Sequence, residues 1–178
     1  DRLTLMDSPG TTTSPPLLPM PDLDALEVRD PVWIAMDDGC RLAAKIWLPP
    51  EAQDRPVPAV MEFIPYRRRD NKATRDHQIH AWFAAHGYAS IRVDMRGSGD
   101  SKGVLCDEYL PREMEDGLAI LRWIADQPWC DGRIGLFGLS WGGVNGLQSA
   151  ALRPPQVAAV ITVCSSDDRY ADDVHYMG

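Results

Sequence analysis

The sequence predicts an α/β fold: a mostly parallel sheet with an antiparallel N-terminal hairpin and helices on both faces. Three observations carry that expectation. From Glu27 onward, β-branched and apolar runs alternate with segments of helical length, the pattern of βαβ units. Asp37-Asp38-Gly39 separates two strand-like runs, and Asp-Gly in that setting is a hairpin turn. Val157 to Val163 is almost continuously apolar, as a strand covered on both faces must be.

Taken in order, Val28, Val32, Trp33, Ile34 and Met36 make the first strand, and Arg41 to Leu48 makes its partner, ended by Pro49-Pro50. Ala59 to Ile64 reads as the next strand. Asp76 to His86 reads as a short helix closed by Gly87, a residue type that accepts the left-handed geometry of a helix end. Tyr88 to Val93 is a strand running into Asp94-Met95-Arg96-Gly97-Ser98-Gly99. After Pro111 a longer helix carries Met114, Leu118, Leu121 and Ala125 on one stripe and stops at Pro128. Arg133 to Phe137 is a further apolar strand, Trp141 to Leu152 a Gly- and Ala-rich helix, and Val157 to Val163 the last strand.

The composition bounds the function. The 178 residues are 44% apolar, with 26 acidic residues against 18 basic ones and a net charge of −8. A chain of this size can bury roughly two-thirds of its unfolded surface in one core, and no apolar run approaches the ~20 residues of a membrane span. The acidic balance argues against nucleic acid or an anionic membrane as partner, and the basic triplet Arg67-Arg68-Arg69 is ended at once by Asp70. Cys40, Cys106, Cys130 and Cys164 are scattered, with no CxxC or CxxH spacing. No metal or other cofactor is expected, and scattered thiols lean toward a cytoplasmic home. Residues 1–26, rich in Pro and Thr, are expected to be a flexible leader without signal-peptide pattern. Residues 27–178 are expected to form the folded part.

The chemistry is concentrated at Gly138-Leu139-Ser140-Trp141-Gly142-Gly143, between an apolar strand and a helix. GxSxG in a strand–turn–helix setting is the nucleophile elbow. Its spacing is steric: a serine on so tight a turn takes strained backbone angles, and its neighbours two positions away must lack bulk. The turn lifts the hydroxyl to a helix N-terminus, where free N–H groups stabilise an oxyanion.

Other segments add to it. Asp94-Met95-Arg96-Gly97-Ser98-Gly99-Asp100-Ser101 resembles the D-x-R-G-x-G-x-S segment of many α/β-hydrolases. Phe63-Ile64-Pro65-Tyr66 and Gln127-Pro128-Trp129-Cys130-Asp131-Gly132 resemble the P-Y and QPW-x-x-G motifs of the CocE/NonD hydrolases. That family includes cocaine esterase, α-amino-acid ester hydrolases and X-Pro dipeptidyl peptidases, and the resemblance runs over residues 27–178. It implies that Ser140 is the acyl-accepting nucleophile, and that the Trp141 backbone N–H and the Tyr66 phenol are the oxyanion donors. Pro65 has no N–H to give, which fits a side-chain donor. By the same resemblance Asp94 and Arg96 hold their loop to the sheet, and Ser98 and Ser101 are not nucleophiles.

A serine needs a base and an orienting acid, which in α/β-hydrolases follow it on loops of later strands. After Ser140 only one apolar strand remains, then a tail with Asp167, Asp168, Asp172, Asp173 and His175. His175 is not expected to be the base, and His77, His80 and His86 read as solvent-exposed helix residues rather than metal ligands. The resemblance therefore implies the N-terminal part of an α/β-hydrolase domain whose triad Asp and His, cap and jelly-roll lie elsewhere. Alone it is expected to be hydrolytically inactive, with an exposed apolar edge and face. The expected function of the whole is hydrolysis of a small-molecule ester, amide or peptide through an acyl-enzyme; a non-catalytic interaction module and an acyltransferase are the alternatives.

Overall fold

The structure, a computed structural model, describes residues 22–70 and 72–173, with the backbone alone at 172 and 173. Most of the expected leader, and His175, lie outside the described residues. The elements are β1 (Glu27–Ala35), β2 (Arg41–Leu48), β3 (Val57–Ile64), α1 (Ala73–Ala85), β4 (Ala89–Asp94), α2 (Pro111–Ala125), β5 (Cys130–Leu139), α3 (Trp141–Ala151) and β6 (Val157–Val163). They form one six-stranded sheet in the order β1-β2-β4-β3-β5-β6. The hairpin β1–β2 is antiparallel and joins β4 antiparallel, while β4, β3, β5 and β6 are mutually parallel. The α/β class and the antiparallel edge are as the sequence predicts.

Boundaries differ where neighbours extend an element. β5 begins three residues early because the Gln127–Cys130 turn delivers the chain beside β3: Cys130 N–H donates to Gln127 O at 3.0 Å, and Val57 N–H to Trp129 O at 2.9 Å. α1 starts at Ala73 rather than Asp76, its first turn continuing the turn that closes at Asp70, where the Ala73 N–H donates to Asp70 O at 2.8 Å.

β4 shows how the layers divide. Ala89, Ile91 and Val93 point into the apolar core with Ile120, Leu121 and Ile124 of α2. Ser90, Arg92 and Asp94 alternate to the opposite face, where α1 lies. That face is polar and buried. Arg75 clasps Glu62 through two bonds of 2.8 and 2.9 Å, and Arg92 Nε donates to Asp76 at 3.0 Å. His80, expected to be exposed, is instead fully buried: its ring stacks on Trp47 and lies between Ser90 Oγ at 2.8 Å and Glu62 at 3.2 Å. A carboxylate only accepts, so His80 Nε2 carries the proton in that contact. The reason is geometric: α1 crosses the sheet where β3 and β4 present Glu62, Ser90 and Arg92, so its inward side must be polar to satisfy them. His77 is exposed and His86 stacks on Trp82.

At the other end, Ile161 and Val163 of β6 are about half exposed, 50% and 43%. Phe83 of α1 packs on Phe137 of β5 beside an open apolar groove that reaches Ala159 and Ile161. Among the described residues no helix is long and apolar enough to cross a membrane.

Burial would raise the Glu62 carboxyl, but the hydrogen bonds of His80 and Arg75 and the Arg92 charge outweigh it and hold it at about 2. A carboxyl held below its unfolded value adds stability that is present above the unfolded pKa and lost as pH falls through the folded one. Urea titrations from about pH 5 down to about pH 2 should show this group's share, about 3 kcal/mol at most, disappear. Glu62→Gln should be less stable than the parent at the upper pH and show a flatter acid limb.

Candidate active site

The passage from β5 to α3 takes a single residue. Ser140 stands between Leu139 and Trp141 with φ 57° and ψ −119°, a left-handed conformation that a side chain adopts only under constraint. The constraints are visible. Ser140 N–H donates to Val163 O of β6 at 2.8 Å, and Ser140 O accepts from Gly143 N–H at 2.8 Å and Val144 N–H at 3.1 Å. A Cβ at Gly138 would stand 2.1 Å from Gly142 O and 2.5 Å from Gly143 N. Gly142 packs on Ile64, where a Cβ would lie 3.1 Å from Cδ1, and Gly143 leaves room for Ser165. Gly138 is thus required by backbone contact, and Gly142 is favoured by the closeness of the Ile64 side chain. The Ser140 side chain is half-buried, and its hydroxyl makes no cap bond to α3. As the first residues of a helix, Trp141 and Gly142 have amides with no intrahelical acceptor.

Tyr66 leaves the end of β3, the parallel neighbour of β5, so it emerges at the same edge of the sheet as Ser140. The phenol is half-buried and has no hydrogen-bond partner among the described residues. Its loop is held firmly. Arg67 has φ 51°, and the Arg68 N–H donates to Asp94 Oδ1 at 2.8 Å. The Arg68 side chain, fully buried, pairs with Asp30 at 2.5 Å, Asp100 at 2.8 Å and Asp94 at 3.5 Å. The middle of the basic triplet is therefore an internal anchor rather than a surface charge. Burial pushes the Asp94 carboxyl up, opposed by the Arg68 amide and the Arg92 charge. Gly99 has φ +54°, and a Cβ there would strike Asp94 Oδ2.

The rest of that loop is structural in its contacts. Arg96 grips Asp116 of α2 at 2.8 and 2.7 Å and Asp38 of the hairpin turn at 2.9 Å. Ser101 Oγ donates to Asp94 O at 2.6 Å and accepts from Ala43 N–H at 2.8 Å, while Ser98 Oγ donates to Met95 O. Both hydroxyls are committed to the fold.

One residue of the site escapes the motif reading. Glu113, in the first turn of α2 and 8% exposed, accepts the Trp141 indole N–H at 3.0 and 3.2 Å, Asn145 Nδ2 at 2.8 Å and the Tyr109 amide at 3.0 Å. Burial pushes its carboxyl above the usual value, against the hydrogen bonds of Trp141 and Asn145. The Tyr109 ring leans on the Trp141 ring at 5.4 Å and carries the Arg169 guanidinium at 4.4 Å. Asn145 amid the small and apolar residues of α3 was the one sequence signal that a buried polar partner waits nearby. Among the described residues, no group of three or more His, Cys, Asp or Glu could hold a metal ion.

A parallel sheet wound with helices and broken by a one-residue turn at a strained serine defines the α/β-hydrolase class. A CocE/NonD family hydrolase of Staphylococcus aureus superposes with a TM-score of 0.66 at 27% identity, covering 76% of this chain and 27% of that one. An α/β hydrolase of Penicillium sp. sh18 does so with a TM-score of 0.64 at 27% identity, covering 77% and 45%. Within that class, residues 38–178 match the X-Pro dipeptidyl-peptidase (S15) family, and the chain belongs to it. It is 34% identical over 147 residues to the cocaine esterase of Rhodococcus sp. (strain MB1 Bresler), covering 80% of this chain and 24% of that protein. It is 30% identical over 156 residues to a putative serine esterase of Mycobacterium bovis, covering 79% and 25%. The chain thus spans about a quarter of the length of these curated relatives.

Gly138→Ala should destabilise the chain by at least ~2 kcal/mol, because backbone and not a movable side chain blocks the new methyl. Gly135→Ala, three residues earlier with its nearest atom at 3.8 Å, should change stability by less than ~1 kcal/mol. Urea midpoints of the two variants check the contrast; equal losses would count against a steric turn.

Proposed function

We propose that the protein is a serine hydrolase of esters or amides working through an acyl-enzyme on Ser140. The observation that carries this reading is the Ser140 backbone, held at φ 57° by bonds on both sides while its hydroxyl is left out of the α3 cap. Ser140 Oγ attacks the acyl carbonyl and passes its proton to a histidine base. The carbonyl oxygen, now an anion, accepts hydrogen bonds from the Trp141 amide and the Tyr66 phenol. Collapse of the intermediate expels the alcohol or amine, which takes the proton from the imidazolium. Water then attacks the acyl-serine by the same route and frees the acid.

The base and its orienting acid come from outside the described residues. His80 is enclosed by Glu62, Ser90 and Trp47, and His86 lies against Trp82. A small-molecule ester, amide or peptide is the substrate class, in keeping with relatives named cocaine esterase, putative serine esterase and putative Xaa-Pro dipeptidyl-peptidase.

The test uses the longest natural form of the protein. A fluorophosphonate probe should label Ser140, and Ser140→Ala should abolish both labelling and turnover of p-nitrophenyl acetate. An unlabelled Ser140 would favour a non-catalytic hydrolase-like module. Tyr66→Phe should lower kcat by ~10²–10³ while leaving the thermal midpoint nearly unchanged; an unaltered rate removes Tyr66 from the mechanism.

A further inference from the structure

Glu113 is a carboxylate nearly sealed from water, and no step of the acyl transfer uses it. Its ties have a pattern. Trp141 and Asn145 are positions i and i+4 of α3, so they lie on one face one turn apart. A single carboxylate grips both, the indole N–H at 3.0 Å and the side-chain amide at 2.8 Å. It therefore staples the first turn of the helix whose leading amide belongs to Trp141. Side-chain capping does not supply this restraint, since the N-cap residue is Ser140 and its hydroxyl makes no cap bond.

From the other side, Glu113 takes the Tyr109 amide at 3.0 Å, fixing a residue at φ 59° whose ring packs on Trp141. The indole is thus held at its edge and against its ring. Were this only a bolt between α2 and α3, apolar side chains would serve without the cost of burying a charge. A carboxylate does what they cannot: it accepts from an indole, a carboxamide and a main-chain amide together.

We infer that Glu113 is a positioning residue for acyl transfer, which by stapling Trp141 and Asn145 fixes the aim of the Trp141 amide at the oxyanion. The inference rests on the assignment of Ser140 as nucleophile and of that amide as a donor. An oxyanion donor acts only if it is preorganised, and small misplacements cost rate rather than binding.

The test is steady-state hydrolysis of p-nitrophenyl acetate by the longest natural form, with thermal midpoints measured alongside. Glu113→Gln keeps the shape but exchanges one acceptor oxygen for a donor, which must face either the Tyr109 amide or the indole and the Asn145 carboxamide. It should lower kcat about ten-fold or more with KM within about two-fold, the signature of an interaction made in the transition state. Trp141→Phe keeps an aromatic ring and the backbone amide but removes the indole N–H with the five-membered half of the indole, so kcat should fall in the same direction. In that background Glu113→Gln should cost less than it does alone, because the two act through one contact. Wild-type kcat in both variants, a change confined to KM, or independent multiplication of the two effects would overturn the inference. If Glu113→Gln does not fold, Trp141→Phe decides: an unchanged kcat overturns it. Ser140→Ala separates the two levels. Residual turnover there sinks the nucleophile assignment, whereas a dead Ser140→Ala beside a fully active Glu113→Gln sinks only the staple.

Discussion

The working edge of this protein depends on one steric fact, the contact between the Gly138 backbone and the Gly142 carbonyl. With no side chain at Gly138, β5 can turn into α3 within one residue, and Ser140 is left with the left-handed angles that such a turn demands. Hydrogen bonds then keep what sterics permit. The Val163 carbonyl holds the Ser140 amide, and the first turn of α3 holds its carbonyl. β6 therefore contributes to the site through its main chain, by the Val163 carbonyl. Strain of this kind persists only when neighbours over-determine it, and here strand, helix and glycine contact all do so.

The sheet presents two unlike faces, and the site draws on both. On the α2 and α3 side, apolar packing of Ile120, Leu121 and Ile124 against β4 sets the position of the helices. Within that layer Glu113 is one of a few buried polar side chains, with Asp116, Asn145 and Ser149, and it lies at the elbow. On the α1 side the face is polar, with Glu62, Asp76, His80 and Arg92 all buried. The same alternation along β4 that feeds this network ends in Asp94, which holds the loop after Tyr66. The candidate oxyanion donors are thus supported from opposite sides of one sheet.

Much of the fold and the centre of the site were legible in the sequence because the features concerned are local. Asp38-Gly39 demands a turn, and Gly138 and Gly142 bracket a serine at a spacing that only a sharp bend explains. What stayed hidden was non-local. Nothing in the spacing of His77 and His80 tells which of the two meets a polar sheet face. The alternation Ser90-Ile91-Arg92-Val93-Asp94 did hold a hint, since a strand covered on both sides with polar residues at every second position requires polar partners opposite. That Arg68 is an internal anchor could not be read from its neighbours, because its three aspartates come from positions 30, 94 and 100. Glu113 resembled an ordinary first-turn acid, and only the approach of α3 shows what it holds.

The reach of Arg68 has an evolutionary side. Its loop starts at β3, yet its guanidinium meets Asp30 of β1, the outermost strand of the sheet, across β4 and β2. The ribbon that opens the chain is therefore no neutral appendage free to drift. A change of charge at position 30 leaves a sealed guanidinium short of a counter-ion two residues from Tyr66. Such a change in the outermost strand would reach the loop that carries Tyr66, so positions 30, 68 and 100 should vary together or not at all.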